Sequence, residues 1–174
     1  DINVHPEKVP AATPWVPELA RASVTELAIG DRFSQMHDFV QHSNGLVYVG
    51  DNLQDRLYEI NTQTGSYTVY KVPPQPGDKL GGLLAGRLRD FPKHETYQGI
   101  HSLVEAPADG HIFITPSYQR RLIEFDPKTK QFINHEIGSG FYPHTVRMDA
   151  KNRVWFTLAL SNQIAMYDRA ADKF

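Results

Sequence analysis

A chain of 174 residues with 40% hydrophobic residues can bury one sizeable core, and its formal net charge of −2 gives it no electrostatic pull toward nucleic acid or an anionic membrane surface. The absence of cysteine excludes disulfides, thiol catalysis and thiolate metal sites. No apolar run approaches the length of a transmembrane helix, and a first residue Asp1 in place of Met is compatible with removal of an export signal or with a trimmed chain. A periplasmic or secreted location is the expectation.

Residues 1–23, Pro-rich from His5 to Pro17, read as an extended N-terminal arm. Val24-Thr-Glu-Leu-Ala-Ile-Gly-Asp-Arg-Phe33 parallels the later Phe132-Ile-Asn-His-Glu-Ile-Gly-Ser-Gly-Phe141 and therefore reads as an outer strand. Next comes a unit with His37, the turn and apolar run Asn44-Gly-Leu-Val-Tyr-Val49, and a second run Arg56-Leu-Tyr-Glu-Ile60. The turn Asn61-Thr-Gln-Thr-Gly65, made of residues that set turn dihedrals, and a fourth strand from Tyr67 to Val72 complete it.

The same order returns twice. His101 precedes Asp109-Gly-His-Ile-Phe-Ile114 and Arg121-Leu-Ile-Glu-Phe125, and His144 precedes Asn152-Arg-Val-Trp-Phe156 and the run reaching Tyr167. The runs Leu46–Val49, Ile112–Ile114 and Val154–Phe156 are apolar on consecutive residues, which predicts strands buried on both faces, with Trp155 and Phe156 in the core between sheets. Glu59 and Glu124 interrupt the following runs and predict half-buried strands. A unit of about 40 residues holding several short strands is the mark of a β-propeller blade. The expected fold is thus all-β, a β-propeller of four-stranded antiparallel blades over residues 24–174. Rings commonly need about four to eight blades, so three predict membership in a six- or seven-bladed propeller, completed by further blades of the same chain or by another copy.

Residues 73–99 are inserted between the first and second units. Gly81, Gly82 and Gly86 there lack the strand, helix and Lys-Ser/Thr setting of a phosphate loop, whereas Leu80, Leu83, Leu84 and Leu88 with Arg87 and Arg89 suit a packed lid or docking loop.

The phrases Pro143-His-Thr-Val146, Asn152-Arg-Val-Trp-Phe-Thr157, Ser161-Asn-Gln-Ile164 and Tyr167-Asp168 resemble the blades of the virginiamycin B lyase (streptogramin lyase) family, seven-bladed propellers similar in appearance to NHL-repeat propellers. The resemblance implies elimination chemistry that opens a macrocyclic ester, using channel-mouth histidines, a glutamate and bound magnesium. The family histidine falls on His144, and on His101 and His37 in the other blades. The family glutamate falls on Leu158, Pro116 and Gly50 or Asp51, so Asp51 alone could replace it.

In a propeller the loop entering the innermost strand shares a rim with the loop between the second and third strands. His37, His101 and His144 should meet there, with Asp51, Asp55, Tyr118, Arg120, Ser161 and Asn162 around them. Neutral imidazoles so placed can bind a ligand, serve as general bases or hold a metal. The expected ligand-binding set is His37, His101, His144, Asp51, Tyr118, Arg120 and Asn162, with His144 and His101 the candidates for catalysis; no metal ligand is assigned, and magnesium enters only through the resemblance. The expected function is a propeller that binds a small molecule or a protein partner at its channel mouth. Its alternatives are a metal-dependent lyase or hydrolase completed by blades outside this segment, and a structural role. His42, His111 and His135 are expected at the surface, and His5 and His94 have no partner by spacing.

Overall fold

A computed structural model describes residues 21–86 and 96–174. Most of the expected arm, with His5, and the insertion residues Arg87, Leu88, Arg89 and His94 lie outside the described residues.

Each repeat folds as an antiparallel sheet whose strands pair in chain order. The first comprises β1 (Met36–Gln41), β2 (Val47–Asp51), β3 (Arg56–Ile60) and β4 (Tyr67–Lys71). The second comprises β5 (Ile100–Glu105), β6 (Ile112–Pro116), β7 (Arg121–Asp126) and β8 (Gln131–Glu136). The third holds β9 (Pro143–Met148), β10 (Val154–Leu158) and β11 (Gln163–Tyr167), followed by one bridge from Asp168 to Lys173. Turn chemistry sets the registers: Asn44, Asn61, Asp126 and Asp168 each accept hydrogen bonds from backbone N–H groups two residues on, the local bonding that favours these residues in turns.

The three sheets stack face to face, and their first strands β1, β5 and β9 lie side by side. Tyr48 and Leu57 of the first sheet meet Ile112, Ile114, Ile123 and Phe125 of the second. Phe113 and Leu122 point the other way, into Val146, Val154 and Phe156 of the third. Successive side chains of a strand face opposite sides, so Phe113 serves one junction and its neighbours Ile112 and Ile114 the other. Complete burial of such a side chain stabilises by about 1.5–3 kcal/mol, and these two layers form the core.

Burial on both faces holds for the middle sheet, where all of β6 is buried, and not for the other two. Trp155 occupies the position of Phe113, but the face it lies on has no sheet over it among the described residues, and it is 37% exposed. That corrects the expectation of a core tryptophan; Phe156, on the opposite face, is buried. Residues 24–33 also differ from expectation, forming no strand. They pair with no sheet edge among the described residues; Asp31 instead turns the chain by accepting from Phe33 N and anchors it to Gln54 and Arg56 of the first blade.

His42, His111 and His135 are braces between elements and not free surface residues. His42 is buried and its Nε2 donates to the Gly110 carbonyl of the next blade at 2.7 Å. His111 Nδ1 and His135 Nε2 lie 2.6 and 2.8 Å from the Glu124 carboxylate, which also accepts from Arg169 of the third blade at 3.1 Å. Glu124 is consequently buried where half-burial was expected. These partners hold its carboxyl below the ordinary range against the burial that would raise it. Glu59, one blade earlier, reaches Lys130 of the next blade in the same way, at 2.7 Å.

Candidate functional site

His37, His101 and His144 are each the second residue of a first strand, and each sits at a register break. Met36 and Asp38 pair with the adjacent residues Asp51 and Gly50, and Ile100 and Ser102 pair with Pro116 and Thr115, leaving His37 and His101 without partners in the ladder. In the third sheet His144 and Thr145 together face Thr157. Each histidine thus occupies a β-bulge, a device that re-aims a side chain at a sheet rim. Because the sheets stack in register, the three imidazoles form one column, with ring centroids 3.8 Å apart for His37 and His101 and 3.7 Å for His101 and His144.

Side chains from one blade grip the first strand of the next. Asn52 Nδ2 donates to the Ile100 carbonyl and Ser117 Oγ to the Pro143 carbonyl, in each case the residue before the histidine. Thr115 Oγ1 donates to His144 O; the equivalent residue in the first blade is Gly50, and there His37 Nδ1 donates to His101 O at 2.9 Å. That bond fixes the His37 proton on Nδ1, since a carbonyl only accepts. Asp38 Oδ2 receives Ser102 Oγ at 2.6 Å and Leu103 N at 3.2 Å. Asp38, Ser102 and Thr115 carry this geometry and were not singled out from the sequence, although each falls at a fixed offset from a repeat histidine or glycine.

His101, at the centre of the column, is 9% exposed, and its buried Nδ1 has no hydrogen-bond partner among the described residues. Burial, reinforced by the neighbouring imidazoles of His37 and His144, pushes its pKa down to about 4. His144 is lowered by the same two effects, burial first and then His37. The centre of the column is therefore neutral at pH 7, able to donate one hydrogen bond and accept another.

The remaining predicted residues divide. Asn162, exposed and left-handed at φ 53°, borders with His144, Thr145 and Thr157 an open cleft of about 690 Å³ on the third blade. Arg120 is exposed and meets Ile137 through its backbone carbonyl. Asp51 is fully buried, its Oδ1 accepting from Gln35 N ahead of β1 and from Leu53 N, while its Oδ2 has no hydrogen-bond partner among the described residues. Asp55 accepts the backbone N–H groups of Tyr97, Gln98 and Gly99, and burial pushes its carboxyl up to about 6. Tyr118 is 6% exposed because the insertion closes over it, Leu83 N donating to its carbonyl at 2.9 Å. Gly82 and Gly99 permit that approach: a Cβ on either would come within 2.8 Å of a Tyr118 side-chain atom. Asp78 pins the insertion to the second blade through a two-pronged ion pair with Arg121, at 2.7 and 3.0 Å. Ser161 accepts from Phe141 N, next to Tyr142, whose ring stacks on His144 at 5.8 Å and 27°. Tyr142 was missed from sequence because no repeat position predicts an aromatic there.

Magnesium, as the resemblance implies it, does not fit these residues. Leu158 and Pro116 are buried and carry no ligating side chain, Asp51 is fully buried with one oxygen held by the backbone N–H groups of Gln35 and Leu53, and no group of three His, Asp or Glu side chains among the described residues is placed to hold a metal.

Solved structures share this fold. A streptogramin B lyase structure superposes with a TM-score of 0.66 at 13% identity, covering 84% of this chain and 41% of that one. A catalytically inactive histidine variant of virginiamycin B lyase from Staphylococcus aureus with quinupristin gives 0.62 at 16% identity, covering 85% and 46%. An auxiliary nutrient binding protein from Bacteroides ovatus gives 0.54 at 14%, covering 83% and 31%. No protein-family model matches the chain, and no curated protein does. The chain spans less than half the length of these structures. Its sheets define the class, an all-β stack of antiparallel propeller-type blades, and within that class its fold is the one seen in the streptogramin lyase structures.

Proposed function

We propose that the chain is part of a larger propeller, of six or seven blades, which binds a small molecule or partner at the rim formed by His37, His101 and His144. One observation carries the reading: a histidine nine-tenths buried, neutral, and with an unpartnered ring nitrogen stands in the middle of a column of imidazoles. Unpaired buried polar atoms are few in folded proteins and ask for a partner, and a bound ligand supplies one. The insertion, clamped through Asp78 and Arg121, borders the same rim and suits a fixed wall for the ligand. The likeness to an auxiliary nutrient binding protein supports binding, and a periplasmic or secreted location is proposed with it.

Calorimetric titration of the wild type and of a His101→Ala/His144→Ala variant with quinupristin, Mg²⁺ and Zn²⁺, beside melting curves, tests it. Binding by the wild type that is lost in a folded variant supports the rim; equal binding by both removes it.

A lyase activity is the second reading, favoured by the inactive histidine variant of a protein with this fold. Elimination would open quinupristin without change of mass, hydrolysis would add one water, and chromatography with mass detection separates these from no reaction. The missing carboxylate at Leu158 and Pro116 puts binding first.

A further inference from the structure

Two residues before its histidine, each of the last two blades turns through the left-handed region, at Gly99 with φ 64° and at Tyr142 with φ 66°. Glycine is the residue this conformation favours, and for a bulky aromatic it is an outlier that costs energy. The second blade shows that the fold needs no side chain here. The tyrosine side chain nevertheless makes no hydrogen bond among the described residues, and its backbone carbonyl, which accepts from Ala159 N at 3.0 Å, would be retained by glycine. Strain held where local chemistry does not require it marks a functional position.

The ring lies at the end of the imidazole column. Tyr142 is within 5.8 Å of His144 and 6.4 Å of His101, and Phe141 stands edge-on to it at 6.1 Å. From His37 to Phe141 the rim is thus a continuous run of planar side chains, half-exposed at Tyr142. Such a surface recognises a flat π face more readily than a carboxylate or a phosphate, because the imidazole at its centre is uncharged at pH 7.

On the reading that the rim is a binding site, we infer that Tyr142 determines its specificity, and that the ligand class is a planar aromatic or heteroaromatic ring with a hydrogen-bonding substituent. The ring extends the column next to Tyr142, and its substituent meets the free ring nitrogen of His101 or the tyrosine hydroxyl.

Phenol and cyclohexanol, alike in size and hydroxyl but not in π face, are the probes, with binding followed by the aromatic NMR signals of Tyr142 and His144. Phenol should perturb these signals at lower concentration than cyclohexanol does. Tyr142→Gly and Tyr142→Asn, both suited to the left-handed backbone, should weaken phenol binding roughly fivefold, the loss expected for one ring contact. Tyr142→Phe should keep most of it, and the melting temperature of the glycine variant should stay level or rise. The inference is overturned if cyclohexanol binds as well as phenol, if phenol leaves the signals unmoved, if both ring-less variants bind like the wild type, or if both melt lower because the ring is structural packing. Should His101→Ala lose a ligand that Tyr142→Gly retains, the rim stands as a binding site and ring selectivity falls.

Discussion

A single tryptophan shows how burial depends on what lies over a sheet face. Phe113 and Trp155 hold the same place in successive blades, yet Phe113 is sealed between two sheets and Trp155 is one-third open, its indole N–H donating to Asp149 at 2.9 Å. Phe113→Ala should cost about 3–5 kcal/mol, as buried large aromatics do, whereas Trp155→Ala should cost about 1 kcal/mol or less. Denaturant melts of the two variants check the contrast. The pH behaviour of His101 is equally specific. Its folded pKa of about 4 lies below the ordinary 6.5, so between these values the unfolded chain takes a proton that the folded ring refuses. Its contribution is fully present above pH 6.5 and is lost as pH falls toward 4. Asp55, raised to about 6, acts in the opposite sense, the folded state taking a proton first as pH falls. Melting curves from pH 7 to 4 should therefore fall less steeply for His101→Gln and more steeply for Asp55→Asn than for the wild type.

At the scale of elements, the insertion behaves as part of the second blade. Asp78 and Arg121 are almost fully buried, with Gln98 and the backbone of Gln75 completing the carboxylate's bonds. Removing Asp78 leaves the buried Arg121 guanidinium only the exposed Glu136 at 3.3 Å, so Asp78→Ala should cost about 3 kcal/mol. Limited proteolysis should then cut within residues 73–86 faster than in the wild type, at a rate reporting the release of that segment. The histidine bulges are a second device at this scale. They were not visible in the repeat spacing, because a bulge adds one residue to one strand and leaves the apolar pattern almost unchanged. The buried role of Glu124, with His111 and His135 upon it, was hidden for a related reason: its histidines come from a turn before β6 and from β8, and only sheet pairing brings them together.

For the whole molecule, the repeating junction is left open at both ends of the described sheets. Phe39, 65% exposed, faces away from the second blade on one side, and Ile164, 73% exposed, faces outward on the other. Their counterparts in the second blade, Leu103 and Leu122, are buried. Phe39→Ser and Ile164→Ser should shift stability by less than about 0.5 kcal/mol in this chain alone, as exposed sites do, and should lower its tendency to self-associate in light scattering. By itself the sequence determined the blade: three histidine-led units, turn residues at fixed offsets and runs of apolar residues specify strand order and the alignment of His37, His101 and His144, because these are local and periodic properties. Tertiary structure alone decided which faces are covered, that the three rings stack, that Tyr118 lies beneath the insertion, and that Tyr142 closes the column. Those properties arise from contacts between blades dozens of residues apart, and no period within one blade encodes what its neighbour places against it.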